Sequence, residues 1–159
     1  MSTLPPEWAR AMRALTCLAI DPEGLGGMVV RARSGPVRQS FEAGLARIPL
    51  PLRRIYPTIT DAQLFGGLNV AASLSEGHMV RDAGLADAPA ALVLPMAERC
   101  PAGLAARLGQ MIDRGTGHAL ILLDEGAEPE EEAPAALAER LAFAVDLGAR
   151  AIRARRVST

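Results

Sequence analysis

The sequence predicts an α/β domain, a parallel sheet flanked by helices. Three observations lead there. Met28-Val29-Val30, Ala91-Leu92-Val93-Leu94 and Ala119-Leu120-Ile121-Leu122-Leu123 are apolar throughout, as strands buried on both faces must be. Segments of helical periodicity separate those runs, the pattern of a sheet with helices on both sides. The chain has 159 residues and is 50% hydrophobic, enough to bury one core of ordinary size.

The elements follow in order. Pro5, Pro6 and Glu7 start a helix in which Trp8, Met12, Leu15 and Ala19 recur at helical spacing up to the Asp21-Pro22 break. Glu23 to Gly27 (EGLGG) reads as a turn feeding the first strand, 28–30. A polar loop from Arg31 to Pro36 comes next, then a helix from Val37 to about Leu45. Pro49 and Pro51 break the chain before a short extended segment, Arg54-Ile55-Tyr56. Thr60-Asp61 caps a helical turn ending at Gly66-Gly67. Between 68 and 81, Glu76-Gly77 reads as a hairpin-like break between two half-apolar arms. The strand at 91–94 leads into an amphipathic helix, Pro101 to Arg114, and the third strand is 119–123. An acidic loop with five Glu between 125 and 132 follows, then a short helix from Pro134 to Leu141 and a fourth strand from Phe143 to Leu147. Residues 1–149 form the core unit, and the basic tail 150–159 is expected to be loosely ordered.

Composition excludes several functions. All 17 basic residues are arginine, so Schiff-base chemistry and a phosphate-loop lysine are both unavailable. Five aromatic residues and a net charge of −1 offer neither a base-stacking platform nor a polyanion-binding chain, so no nucleic-acid partner is expected. The charge is uneven. Residues 1–60 carry a balance of +4 and residues 61–149 one of −9, a polarity that suits head-to-tail packing of copies and also describes ordinary solvated surface. Cys17 and Cys100 form no CxxC pair, and His78 and His118 are not spaced as zinc partners. Both cysteines are expected to be buried reduced thiols, no metal site is expected, and with no apolar signal core or spanning run the chain is expected in the cytoplasm, without membrane insertion.

Several motifs suggest chemistry. The GLGG glycines precede their strand, whereas a dinucleotide fingerprint follows one. Ser75, His78 and Asp82 include hydrolase residue types, but no G-x-S-x-G elbow presents Ser75. The order strand, loop 31–36, helix is the layout of a phosphate-binding loop. Here it reads Arg31-Ala32-Arg33-Ser34-Gly35-Pro36-Val37-Arg38: one glycine remains, Pro36 lacks an N–H donor and Val37 holds the lysine position. Arg31, Ser34, Gly35 and Arg38 are therefore a degenerate remnant, either an anion-attracting loop or a solvated basic one. Leu120-Ile121-Leu122-Leu123-Asp124-Glu125 fits the Walker B pattern of hydrophobic strand plus Asp-Glu. Taken literally it makes the chain a self-standing ATPase acting through Asp124 and Glu125; without a competent phosphate loop, it reads as the start of a loop.

Three stretches carry a family resemblance over most of residues 7–147. Ala14 to Gly27 (ALTCLAIDPEGLGG), Ile59 to Asn69 (ITDAQLFGGLN) and Glu76-Gly77 with Asp82-Ala83-Gly84-Leu85 resemble the ATPase-type subunits of magnesium chelatase. The degraded phosphate loop resembles the D subunit of that enzyme rather than the active I subunit. In this register Leu92-Val93-Leu94 matches the Walker B strand, with Pro95 and Met96 where the acids belong, and Asp124-Glu125 falls at the end of the sensor-1 strand. Leu137-Ala138-Glu139-Arg140-Leu141 matches the arginine-finger segment, which makes Arg140 the candidate finger acting in trans.

The resemblance implies an AAA+ core with degenerate nucleotide motifs and no lid. It implies a non-hydrolysing platform subunit, self-associating into a ring and assembling with the I subunit, which uses the ATP and Mg²⁺. The machine inserts Mg²⁺ into protoporphyrin IX for bacteriochlorophyll or chlorophyll, a ligase reaction forming nitrogen–metal bonds, and the porphyrin sits on a third, H subunit. No tightly bound cofactor is expected here. D subunits also carry a helical lid, an acidic proline-rich linker and an integrin-like domain; no D-x-S-x-S of that domain occurs in the sequence, so the chain is read as an N-terminal fragment.

Overall fold

The computed structural model describes residues 4–126, 128 and 130–148; the predicted tail 150–159 lies outside them. Five strands form one parallel sheet in the order β2-β5-β6-β1-β7: β1 (Gly27–Arg31), β2 (Leu52–Arg54), β5 (Ala91–Leu94), β6 (Ala119–Asp124) and β7 (Phe143–Asp146). β6 explains the architecture by itself. All six of its residues are buried, with Ile121 and Leu123 entering one hydrophobic cluster and Leu120 and Leu122 the other. Side chains alternate along a strand, so both faces need cover.

Helix α1 (Trp8–Ile20) and α3 (Pro36–Gly44) cover the first face through Leu15, Leu18 and Phe41. α4 (Asp61–Phe65), α6 (Ala102–Asp113) and α7 (Ala135–Ala138) cover the second through Leu64, Leu104, Leu108 and Leu137. The cap at Thr60 is present: its hydroxyl accepts from Gln63 N–H at 3.2 Å, while the Gln63 side chain accepts from Thr60 N–H at 3.0 Å. The EGLGG turn contains a short helix, α2 (Pro22–Leu25), closed by Gly26 in a positive-φ conformation. Gly27 at φ +139° runs so close to Leu120 O that a Cβ would sit 1.8 Å away, so only glycine opens β1.

Four expectations are corrected. Residues 68–81 are not two hairpin arms: β3 (Gly67–Leu68) and β4 (Arg81–Asp82) pair antiparallel around a helix, α5 (Val70–Glu76), with Asn69 as N-cap and left-handed Gly77 as C-cap. The extended segment is Leu52–Arg54 rather than 54–56, because strand pairing ends when Ile55 N–H donates to Val93 O. α7 spans one turn, not 134–141. Cys17 is exposed, because α1 turns Ala11, Ala14, Leu15 and Leu18 to the core and leaves Cys17 outside. Cys100 is half-buried, and burial pushes its thiol up to about 11. No helix among the described residues is long and apolar enough to cross a membrane.

Candidate functional site

The chain leaves β1 toward β2 at one edge of the sheet and leaves β6 toward β7 on the other side of β1. Adjacent strands whose connections diverge open a crevice at their carboxyl ends, the usual ligand position in such sheets. A hollow of about 140 Å³ lies there, lined by Arg31, Arg33, Asp124, Glu125, Gly126 and Asp146. The fold thus brings Arg31 and Arg38 of the degenerate loop together with the Asp124-Glu125 pair.

Arg31 and Arg38 are committed to the chain itself, whereas Arg33 stands exposed at the rim. Arg31 donates to the carbonyls of Gly126 at 2.6 Å, Glu128 at 2.8 Å and Glu131 at 3.2 Å, and its NH1 lies 3.7 Å from Asp124 Oδ2. It ties the acidic loop to the end of β1. Arg38 is 7% exposed and pairs with Glu125, while its Nε lies 3.6 Å from Glu42. Glu42 in turn holds Arg54 at 2.6 Å, which extends the network Glu125–Arg38–Glu42–Arg54. Asp124 is 4% exposed and accepts from Gly126 N–H at 2.8 Å and Ala133 N–H at 3.1 Å. Glu125 N–H donates to Glu98 Oε2 at 2.9 Å. Burial pushes the Glu98 carboxyl above its ordinary value, and the Asp124 charge adds to the rise.

A nucleotide does not fit these residues. Its phosphates need backbone N–H groups and several uncommitted cations; here Pro36 supplies no N–H, Val37 no charge, Arg31 and Arg38 are occupied by the chain's own acceptors, and only the exposed Arg33 is left at the rim. The hollow is also below the roughly 300–1,000 Å³ of small-molecule pockets. Ser34 is exposed, and Gly35 serves as N-cap of α3, its carbonyl accepting from Gln39 N–H. At the end of β5, Pro95 is buried and Met96 takes a left-handed φ of +52°; neither offers a carboxylate.

Arg140 lies elsewhere. Its carbonyl sits beside Gly26, ahead of β1, so it marks the opposite end of the sheet from the hollow. The guanidinium forms a two-point pair with Asp113, Nε–Oδ1 at 2.9 Å and NH2–Oδ2 at 3.0 Å, and also donates to Ala136 O. The hydrogen bond from Arg140 holds the Asp113 carboxyl below its ordinary value. Ser75, His78 and Asp82 are not assembled: His78 turns to Glu76, and Asp82 accepts from Asn69. Among the described residues no group of three or more His, Cys, Asp or Glu is placed to hold a metal ion.

Sequence reasoning missed Glu42 and Glu98, the partners that complete the network. Glu42 follows Arg38 by one helical turn, a signal present in the sequence. Glu98 has none, since it reaches Glu125 only through the pairing of β5 with β6.

No family model matches the chain. The sequence is 54% identical over 140 residues to the magnesium-chelatase 60 kDa subunit of Cereibacter sphaeroides and 49% identical to that of Rhodobacter capsulatus. The chain resembles a magnesium-chelatase subunit. The alignments cover 88% and 87% of this chain and 25% of each relative, so the chain spans about a quarter of the curated relatives it matches. Among solved structures, a candidate ATPase from Cytophaga hutchinsonii superposes with a TM-score of 0.61 at 16% identity, over 98% of this chain and 52% of that one. RuvB from Thermotoga maritima gives 0.57 at 12% identity, over 91% and 45%. At such identities the likeness concerns fold alone, the parallel α/β core that these structures share with the chain.

Proposed function

We propose that this chain is the AAA+ core of a D-type magnesium chelatase subunit, a platform that does not hydrolyse ATP. The I subunit assembles on it and burns the ATP, in the machine that inserts Mg²⁺ into protoporphyrin IX for (bacterio)chlorophyll; the porphyrin is carried by the H subunit. The observation that carries this reading is the occupation of the phosphate-loop position by Arg31 and Arg38 ion pairs within a chain 54% identical to a magnesium-chelatase subunit. The opposite charge balances of 1–60 and 61–149 support head-to-tail contact with the I subunit or another copy.

Arg140 is the residue proposed to act in trans. From the rim of one core it reaches the γ-phosphate held by a neighbour and stabilises transition-state charge, an effect of about 10³–10⁵ in rate for arginine fingers. Asp113 holds it when no neighbour is present. The test is sedimentation of the chain with the I subunit at low and high salt. A mixed assembly that salt weakens is expected; a strictly monomeric chain at low salt in the presence of the I subunit contradicts the platform reading.

A further inference from the structure

Glycine inside a helix is the least favoured residue after proline, and α6 contains two, Gly103 and Gly109. A Cβ at Gly103 would meet the tip of the Arg107 side chain. Gly109 differs. It lies buried in the second half of α6, and the group covering it is the Arg140 guanidinium. A Cβ there would stand 3.1 Å from Arg140 Cζ and Nη1 and 3.3 Å from Nε. Unstrained carbon contacts need about 3.5–4.0 Å. The planar cation therefore lies on bare α6 backbone, which no other residue at 109 would expose.

Two further contacts fix that plane. Asp113, one turn along α6, accepts from Nε at 2.9 Å and Nη2 at 3.0 Å, and Ala136 O accepts from Nη1. A guanidinium carries five N–H bonds, so three are engaged and one on each terminal nitrogen is left. The side chain is 35% exposed, within reach of an anion from outside. An arginine free in solvent samples many rotamers; here helix and carboxylate hold it in one.

We infer that Gly109 is a positioning residue for Arg140: its missing side chain lets α6 seat the guanidinium at one place on the rim. The role rests on the reading of Arg140 as the residue that acts in trans. An anion brought by a neighbouring subunit then finds the cation already oriented. Asp113 steadies the group until that anion replaces it. Glycine weakens α6, and every other residue except proline favours the helix more. A side chain at 109 should therefore keep the fold stable and misplace the cation.

ATP turnover by a full-length D-type subunit assembled with the I subunit tests this. Gly109→Met, which lays an unbranched side chain where the guanidinium rests, is expected to lower maximal turnover about a hundredfold, the scale of an ångström's misplacement. Assembly and the KM for ATP should match the parent, with a denaturation midpoint no lower. Gly109→Ala, whose single methyl displaces the cation less, should show a smaller loss in the same direction. Added to Arg140→Ala, Gly109→Met should do nothing more. In the 159-residue chain, carboxyl-carbon NMR should find Asp113 below its ordinary titration range in the parent and back within it in Gly109→Met. Parent turnover by Gly109→Met beside a slowed Arg140→Ala overturns the seat alone; parent turnover by both overturns the finger reading, and the seat's role with it. A further loss on top of Arg140→Ala, or an Asp113 titration that Gly109→Met leaves unmoved, would also contradict the assignment.

Discussion

Arg38 and Arg140 are both paired arginines, at opposite ends of one sheet, and their surroundings make them different devices. The Arg38 side chain is 8% exposed and lies between Glu125 and Glu42; the Arg140 side chain is 35% exposed and meets an Asp113 side chain that is 54% exposed. Water already solvates much of the Arg140 pair, so exchanging Asp113 for another anion costs little. Parting Arg38 from Glu125 strands a charge in a dry place. One end of the sheet is therefore fixed by its ion pairs, and the other keeps a cation available for exchange.

The strongest way to break this comparison is to remove the fixed cation. Arg38→Ala is expected to cost about 3 kcal/mol, the scale for orphaning one member of a buried pair. Urea denaturation reads this directly. The double change Arg38→Met with Glu125→Leu should recover most of the loss, because an apolar pair replaces the network; if it remains as unstable as the single variant, the pair is not the cause. Next in size is Asp124→Asn. Its carboxylate accepts from two backbone N–H groups, an amide oxygen can serve only one of them well, and about 2 kcal/mol should be lost. An unchanged denaturation midpoint would show that Asp124 does not organise the loop.

A smaller effect sharpens the contrast through pH. Asp113 titrates below its ordinary value in the folded chain, so its contribution is present above the ordinary carboxylate range and is lost as pH falls through the depressed value. Glu98 is shifted the other way. Folding favours its protonated form, so its contribution declines as pH rises from 4.5 toward the raised value. Thermal melts between about pH 3 and pH 7 should show the acid-side loss reduced in Asp113→Asn and the decline above pH 4.5 reduced in Glu98→Gln. Variants that track the parent at every pH contradict both assignments.

The smallest expected change in stability at neutral pH is that of Arg140→Ala, whose denaturation midpoint should fall only slightly below the parent, because it removes one exposed ion pair. Its effect belongs in function. In a full-length D-type subunit the substitution should leave assembly with the I subunit intact and lower ATP-driven Mg²⁺ chelation. Chelation at the unmutated rate by an assembled variant rules out a finger role for Arg140.

The buried strands were legible because apolar runs such as 119–123 leave no other placement, and the cap at Thr60 followed from residue types that bond locally. Residues 68–81 misled because α5 buries none of its residues, so no apolar stripe announces a helix; the boundary signals were Asn69 and Gly77. Within the candidate site, the strand–loop–helix order placed Arg31 and Arg38 at the crevice. Their acid partners, Glu42 aside, are Asp124 and Glu125 at the end of β6, and only the strand order brings those to the arginines.

In the crevice the chain's own carboxylates and carbonyls stand where a nucleotide's phosphates would lie. Titration of MgATP into the chain, with phosphate release followed in the same samples, tests it most directly. Neither saturable binding nor turnover is expected of the chain alone. Saturable MgATP binding, with Mg²⁺-dependent turnover that Asp124→Asn abolishes, would contradict it and make Asp124 and Glu125 a working ATPase pair.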